Sequence, residues 1–384
     1  MGFTSQDDLL ADISAGQYLR QDGSKLTSPV HTAGGWHNLM TMNGYPVAST
    51  GPGTTLLWQN CDANVGDGTN VIGINASGAP GGTATKHVLN AAAMMVAAAG
   101  APWQAKLVDL QGYYRLSGTD VTGTGSRTLI NSNTFTASSS SGLLLTYTND
   151  FVSGTKVRFT TTTTLPTGLS LATDYWLIRV SATTARVAAS YADYVAGTAI
   201  AYTDAGTGTH TMTIQMPRYA NGVGCQAFFS VITAPTAGGP NLSASSYTSS
   251  AGTPGRAFSG SPTMGAAADA YAGRVLHSGN AAGRYGAFLP LASGDTGVAS
   301  IQSFTFSGGT AYTGSGVLAL CIARPLLDLA LPVTGMWSER DLVNQLPSLP
   351  RVQDGACLVW MLFGTGATTA SSPLTFAIDY AWGG

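Results

Sequence analysis

The stretch TLPTGLSLATDYWLIRV, residues 164–180, decides the fold of the middle of the chain. Its end, DYWLIRV, is rich in aromatic and β-branched side chains, which favour strands, and it follows a Pro-Thr-Gly turn signal. A run of five threonines, residues 160–164, precedes its first leucine, and a second strand-like run, TTARVAAS, follows it. The stretch therefore predicts β-strands that are joined by tight turns.

The same pattern of strand-like runs and turn signals extends from about residue 131 to residue 215. Short apolar runs follow one another there, separated by Asn-Asp, Ser-Gly, Pro-Thr-Gly and Gly-Thr-Gly turns. The runs are LLLTYT, TKVRFT, YWLIRV, ARVAAS, AIAY and THTMTI. This spacing is typical of a small all-β unit. We expect residues 131–215 to form a β module inserted into a larger body.

Longer strand-like runs flank this module. AKLVDLQGYYRL precedes it, and GCQAFFSVIT, SIQSFTFSG, GVLALCIARPL, ACLVWMLFG and LTFAIDYAW follow it. They predict an all-β body, an antiparallel jelly-roll-like β-sandwich made of residues 61–130 and 216–384. Two short helices are expected within it, at Lys86–Ala99 from its alanines, with a buried strand as the alternative, and at Glu339–Gln345.

The first sixty residues are expected to form an extended N-terminal arm with one short helix. Ser5 and Asp8 have the spacing of a capping box before a helix at Gln6–Ala15. The residues after it are rich in Gly, Pro, Asn and Thr and include isolated tryptophans. Such an arm would wrap a neighbouring subunit. The interface contacts expected in it are Leu9, Leu10, Ile13, Trp36 and Trp58.

Composition restricts the classes of partner. Only 9% of the 384 residues are charged, against about 25% in an ordinary domain, and the net charge is -2. No basic stripe is available for a phosphate backbone, so nucleic acid is not expected as a partner. The Ala-rich run at residues 87–105 is interrupted by Asn, Gly and Pro, and no membrane span is expected. The opening MGFTSQDDLL lacks the pattern of a secretory signal, which predicts synthesis in a cytoplasm.

The sequence points to no catalytic, cofactor or metal site. The four cysteines lie far apart without a CxxC pair. Cys225, Cys321 and Cys357 lie in apolar strand-like runs and are expected to be small buried hydrophobes. His31 and His37, and a loop with Asp62, Asn64 and Asp67, are weak metal patterns, for which backbone contacts and an Asx-rich turn are the better interpretations. We expect no enzyme, and a polysaccharide depolymerase remains the catalytic alternative.

The central module resembles a β module of tailed-bacteriophage virion proteins. The resemblance lies in Gly154 before a strand, Leu165-Pro166 with Gly168-Leu169, Asp174-Tyr175 and the closing DAGTGTH of residues 204–210. The flanks, including DDLLADISAG, PRYANGVGCQAFF and SERDLVNQLPSLPRVQDGACL, resemble a structural protein encoded among phage morphogenesis genes. The module occurs in fibres, tail proteins and head-associated proteins, so the resemblance alone does not name the part of the particle.

The resemblance implies a virion structural protein without cofactors. The leading expectation is a capsid decoration or cement protein that binds the major capsid protein or other virion subunits, and that forms a homo-oligomer, with a trimer favoured. The alternative is a tail, neck or fibre protein that contacts a host receptor. In that case Trp176, Tyr191 and Tyr194 of the inserted module are the candidate contacts, although packing between strands also explains them.

Overall fold

A computed structural model of the chain describes residue 3 and residues 5–27, 33–40, 55–61, 86–96, 102–138, 144–266, 271–278, 286–345, 349–353, 355–366 and 372–383. Within these residues the chain is built almost wholly of antiparallel strands. The prediction of an all-β chain with few helices is confirmed. The jelly-roll order of connections stays a prediction.

The described strands and helices are as follows, in chain order. The part before the central module contains α1 (Gln6–Ser14), β1 (Tyr18–Thr27), β2 (Gly35–Asn38), β3 (Trp58–Asn60), β4 (Lys86–Met95), β5 (Trp103–Ser117), α2 (Thr119–Thr122) and β6 (Ser126–Thr128). The central part contains β7 (Ser132–Ser138), β8 (Leu144–Tyr147), β9 (Lys156–Thr161), β10 (Asp174–Ser181), β11 (Thr184–Ala188), α3 (Tyr191–Ala196) and β12 (His210–Ile214). The last part contains β13 (Gln226–Thr233), β14 (Ala237–Ser249), β15 (Val298–Thr313), β16 (Val317–Leu331), β17 (Ser338–Asp341), β18 (Arg351–Val352), β19 (Leu358–Gly364) and β20 (Ser372–Trp382).

These strands form three open sheets and one closed barrel. The first sheet has the order β1-β20-β4-β17, with β18 also paired to β4. The second has the order β13-β16-β5-β19-β2, with β3 also paired to β5, and the third has the order β14-β15-β6. The strands of residues 132–214 close the barrel in the order β10-β11-β8-β7-β12-β9. The barrel strands pair with one another and with no strand of the three sheets.

The second sheet is the centre of the body, because apolar side chains cover it on both sides. Its central strands contain nearly continuous hydrophobic runs, LVDLQGYYRL in β5 and VLALCIA in β16. Trp360 of this sheet packs on Phe376 of the first sheet, with ring centroids 5.8 Å apart. Phe229 packs on Phe304 and Phe306 of the third sheet, at 5.5 and 5.3 Å. Each such buried aromatic contributes about 1.5–3 kcal/mol, and together they hold the sheets as layers of a sandwich.

The described parts of the N-terminal segment, residues 5–27, 33–40 and 55–60, belong to this body, which corrects the predicted extended arm there. β1 pairs with β20 over ten consecutive positions, from Tyr18 opposite Ala381 to Thr27 opposite Ser372. β2 pairs with β19, and β3 pairs with β5. The sequence did not predict these strands, because they are rich in glycine and polar residues. The partner strands of β1 and β2 lie more than three hundred residues away, and the partner of β3 supplies most of the apolar surface. The helix prediction is confirmed at α1, where the Ser5 hydroxyl accepts a hydrogen bond from the Asp8 backbone N–H at 3.1 Å.

Two other helix predictions were wrong. Residues 86–95 form β4, the alternative considered for this run, because pairing with β20 on one side and β17 and β18 on the other outweighs the helix propensity of alanine. Residues 338–341 form β17 at the edge of the same sheet, and only Val343–Gln345 coil, as a 3-10 turn. Both errors arise where a partner strand, absent from the local sequence, decides the structure.

The barrel is filled by side chains from alternate positions of its strands. β12 alternates buried and half-buried residues throughout, and β9 and β10 begin in the same way. Phe159 packs inside against Phe135 and Tyr175, with centroids 5.1 and 5.3 Å apart. This period of two is what the stretch around residues 164–180 predicted for half-buried strands. The buried side chains of the barrel belong to one apolar cluster with those between the second and third sheets, and this cluster also includes Leu57, Trp58 and Tyr114.

Candidate interaction surfaces

Three of the five residues predicted to bind a neighbour are buried within their own chain. Leu9 and Trp36 are 3% and 6% exposed, and Trp58 is fully buried against Tyr114 with centroids 5.2 Å apart. Ile13 is partly buried against the first sheet, and only Leu10 is exposed, at 59%. These side chains are buried because the segment that carries them belongs to the sheets, so its tryptophans fill this chain's core.

Tyr191 and Tyr194 do lie at the surface of the barrel, where α3 presents them together. Ser190 caps this helix by accepting a hydrogen bond from the Asp193 N–H at 3.0 Å, and Gly197 ends it in the left-handed conformation at φ 72°. The two rings are 5.8 Å apart and half-buried. The next residue, Val195, is 58% exposed. The helix thus offers a small aromatic and aliphatic surface on a rigid support.

Trp176 lies on a neighbouring strand of the barrel in a different environment. It is half-buried, and the ammonium of Lys156 lies 5.4 Å from its ring centroid. The same ammonium makes an ion pair with Asp174 at 2.7 Å. Stacking against a lysine on the strand surface accounts for this tryptophan, so packing between strands is its first role.

A cluster of exposed apolar side chains, which we name the 333–337 patch, was not found by sequence reasoning. It comprises Val96, Val333, Met336 and Trp337, which are 43%, 47%, 59% and 51% exposed. The loop that carries the last three is held against the end of β4 by a hydrogen bond from the Gly335 N–H to the Met95 carbonyl at 2.8 Å. Its sequence, PVTGMW, has no charged residue. An apolar surface of this kind marks a contact site more often than chance.

Polar groups held in place border the 333–337 patch. On β17, directly after Trp337, the Glu339 carboxylate accepts a hydrogen bond from the Asn90 side-chain amide at 2.7 Å. The guanidinium of Arg340 donates to the Asp328 carbonyl at 2.9 Å. An apolar centre with a polar rim is the usual anatomy of a protein–protein interface.

The cysteines are all free and buried. Burial raises the pKa of the Cys225 thiol to about 12 and raises the pKa of Cys61 and Cys321 well above the ordinary value. At these three cysteines the thiolate, which is the reactive form, is therefore scarce at neutral pH. The expectation that Cys225, Cys321 and Cys357 act as small buried hydrophobes agrees with their position in the core.

Two buried histidines are held in the neutral form. Burial, with a smaller contribution from Arg351, lowers the pKa of His87 to about 4, and burial lowers the pKa of His277 to about 3. His37 is also buried, between Trp103 and Tyr271. Among the residues that the structure describes, no three His, Cys, Asp or Glu side chains converge as a metal site. His31 and the loop with Asp62, Asn64 and Asp67 lie outside the described residues.

The described helices include none that is long and apolar enough to cross a membrane. In comparisons with known proteins, no protein-family model matches this chain, and no curated protein matches it.

Proposed function

We propose that this protein is a structural subunit of a bacteriophage virion, a decoration or cement protein that binds the assembled head. The observation that carries the proposal is the 333–337 patch on a chain with so few charges. A surface that exposes Trp337, Met336 and two valines together, in a chain with 9% charged residues, suits a subunit that is covered by its neighbours. The resemblance of the central module to virion modules supports a virion as the assembly that contains such a neighbour.

The patch supplies the affinity in this proposal. Full burial of one large apolar side chain contributes about 1.5–3 kcal/mol, and a tryptophan near the centre of an interface commonly dominates its binding energy. The Glu339 and Arg340 side chains, already held by Asn90 and by the Asp328 carbonyl, need little reordering when a partner covers the rim. We assign the major capsid protein as the partner on this face.

Such binding acts on the shell by mass action. A subunit that binds neighbouring capsid proteins only in the assembled shell lowers the free energy of that shell and not of its separated parts. The layered sheets give the rigid body that this requires, and the barrel is an addition on that body. The role needs binding and no catalysis.

A second role, as a tail, neck or fibre protein, is favoured by the surface of α3. Tyr191, Tyr194 and exposed Val195 lie together on the barrel, and aromatic side chains on a rigid support are suited to a host glycan or protein. In this case the barrel is the part that makes the contact, and the 333–337 patch joins the body to the tail.

Immunogold electron microscopy distinguishes the two roles. Antibodies against the purified chain are applied to intact particles of the virus that encodes it. The proposal predicts gold over the head surface, whereas gold confined to the tail supports the second role. Particles without gold, together with the absence of the chain from their mass spectra, would overturn both.

A further inference from the structure

A pocket of about 620 Å³ opens where three distant parts of the body meet. One wall is the segment that leaves the barrel, with Tyr219 and Val223, and another is the middle of β16, with Arg324 and Leu326. The third is the segment at β18, with Leu349 and Arg351. This volume lies in the ordinary range of binding pockets and admits a few side chains of a partner.

The pocket is cationic without a balancing acid among its lining residues. It is lined by two arginines, Arg324 and Arg351, and by no aspartate or glutamate. The ion pairs formed within the described part of the chain include neither arginine. The nearby carboxylate of Asp109 is already used, because both of its oxygens accept hydrogen bonds from Arg218. Two arginines thus line the same cavity, and neither forms an ion pair with a carboxylate of the described residues.

Tyr219 holds one of these groups in place. The guanidinium carbon of Arg324 lies 4.2 Å from the centroid of the Tyr219 ring, the shortest cation–ring distance among the described residues. The tyrosine is fixed in turn by a hydrogen bond from its hydroxyl to the Arg351 carbonyl at 3.2 Å. A stacked guanidinium keeps its planar set of N–H donors and loses less freedom when it binds a carboxylate.

The rest of the lining is apolar. Val223 is 50% exposed, and Pro325, Leu326, Leu349 and Pro350 complete the walls. A ligand that fits must carry a carboxylate beside an aliphatic side chain. A peptide segment with an aspartate next to a leucine has this chemistry.

The chain itself displays such a segment on α1. Leu9 fixes this helix to the first sheet, which leaves Asp7 and Leu10 exposed, the latter at 59%. The two residues are three apart in a helix and so lie on the same face. Asp7 has no ion-pair partner among the described residues, whereas most other acids of the body are paired or act as caps.

We propose that this pocket binds the face of α1 formed by Asp7 and Leu10 from a second copy of the chain. The carboxylate of Asp7 lies between Arg324 and Arg351, and Leu10 contacts the aliphatic wall. This contact goes beyond the virion role, since it concerns self-association of the purified chain.

Sedimentation velocity of the full chain over a concentration series tests the contact. The wild-type chain is expected to associate, and Asp7→Asn and Arg351→Glu are each expected to weaken the association at least about tenfold. Both positions are exposed, so both variants should fold, as circular dichroism will show. Arg186→Glu, which reverses an exposed charge on the barrel strand β11, is the matched control and should associate as the wild type does.

A charge exchange gives the decisive outcome. Asp7→Arg alone should weaken the association, and Asp7→Arg combined with Arg324→Glu and Arg351→Glu should restore most of it. A chain that is monomeric at every concentration would overturn the proposal. So would an oligomer that these variants leave unchanged, or a combined variant no tighter than its parents. None of these results bears on the labelling of particles, so failure of this contact is distinguishable from failure of the virion role.

Discussion

Arg218 donates two hydrogen bonds to the carboxylate of Asp109, from Nε at 3.0 Å and from Nη2 at 2.8 Å, and both side chains are buried. The same guanidinium donates to the carbonyls of Cys61 and Leu110, and Asp109 accepts from the Cys357 N–H at 3.0 Å. β3 ends and β19 begins at this point along the edge of β5. The pair therefore joins two strand ends to the first residues that follow the barrel.

Replacing Arg218 with methionine should destabilise the body strongly. The change leaves the buried Asp109 carboxylate without its guanidinium partner and two buried carbonyls without their donor, which costs about 3–5 kcal/mol. Urea unfolding of the variant and the wild type measures the difference. Arg179→Met, which removes a more exposed ion pair to Asp150, is the control and should cost about 1 kcal/mol or less. Equal effects of the two variants would contradict this assignment.

Two tryptophans should behave in opposite ways. Trp58→Ala removes a fully buried side chain from the core that the barrel shares with the second and third sheets, and should cost about 3–5 kcal/mol of unfolding free energy. Trp337→Ala removes a side chain that is half exposed, and should change stability by about 0.5 kcal/mol or less. Thermal and urea unfolding check both values. A large loss at Trp337 would mean that the 333–337 patch is packed within the chain and is not a surface.

Trp337→Ala should nevertheless reduce incorporation into particles. If the capsid protein covers the 333–337 patch, loss of its largest side chain weakens binding by at least about tenfold. The amount of the chain in purified particles, measured by quantitative mass spectrometry, reports this effect. Val195→Ala on the barrel is the matched control, because it removes an exposed apolar side chain elsewhere. An equal loss with Val195→Ala would point to the barrel as the contact.

Stability should fall between pH 7 and pH 5. His87 and His277 have a folded-state pKa of about 4 and about 3, below the ordinary value near 6.5, so the unfolded chain takes up protons first as the pH falls. The stabilisation of the folded state by these two neutral histidines is fully present above about pH 6.5, and it is lost as the pH falls towards their folded-state pKa values. The loss at pH 5 should be about 2–4 kcal/mol. Urea unfolding at both pH values measures it.

A variant isolates the histidine effect. His277→Leu should reduce the change in unfolding free energy between pH 7 and pH 5 by about half. Asp295 does not contribute to the change at pH 5, because hydrogen bonds from Tyr247 and Arg256 lower its pKa and its contribution is lost only at more acidic pH. Stability that is constant from pH 7 to pH 5 would show that these histidines are not held neutral.

Five of the six barrel strands and α1 were visible in the sequence because local signals specify them, whereas β7 was missed and the predicted run AIAY, residues 199–202, forms no strand. Alternation with a period of two marks half-buried strands, and Ser5 with Asp8 marks a helix start. The first sixty residues were misassigned for the opposite reason. β1 has three charged residues and a glycine, and it is a strand because β20 supplies its partner at the far end of the chain. The run at residues 86–95 has the alanines of a helix, yet it lies between strands on both sides.

The candidate surfaces were harder to predict. Aromatic residues drew attention to Trp36 and Trp58, but tryptophan is equally suited to a core, and only the sheet register shows which applies. Trp337 lies in a short turn with no periodic pattern, and its exposure follows from the bond between Gly335 and Met95. The pocket joins residues 219, 324 and 351, which no local pattern brings together. Tyr191 and Tyr194 lie on α3, a helix that the sequence did not predict, and their role as contacts stays a prediction.

Cryo-electron microscopy of intact particles tests the central claim most directly. The account predicts that the layered sheets fit density on the outer surface of the head, in hundreds of copies per particle, with the 333–337 patch against the capsid protein. Density for the chain only at the tail, or a head surface on which the 333–337 patch faces solvent in every copy, would contradict it.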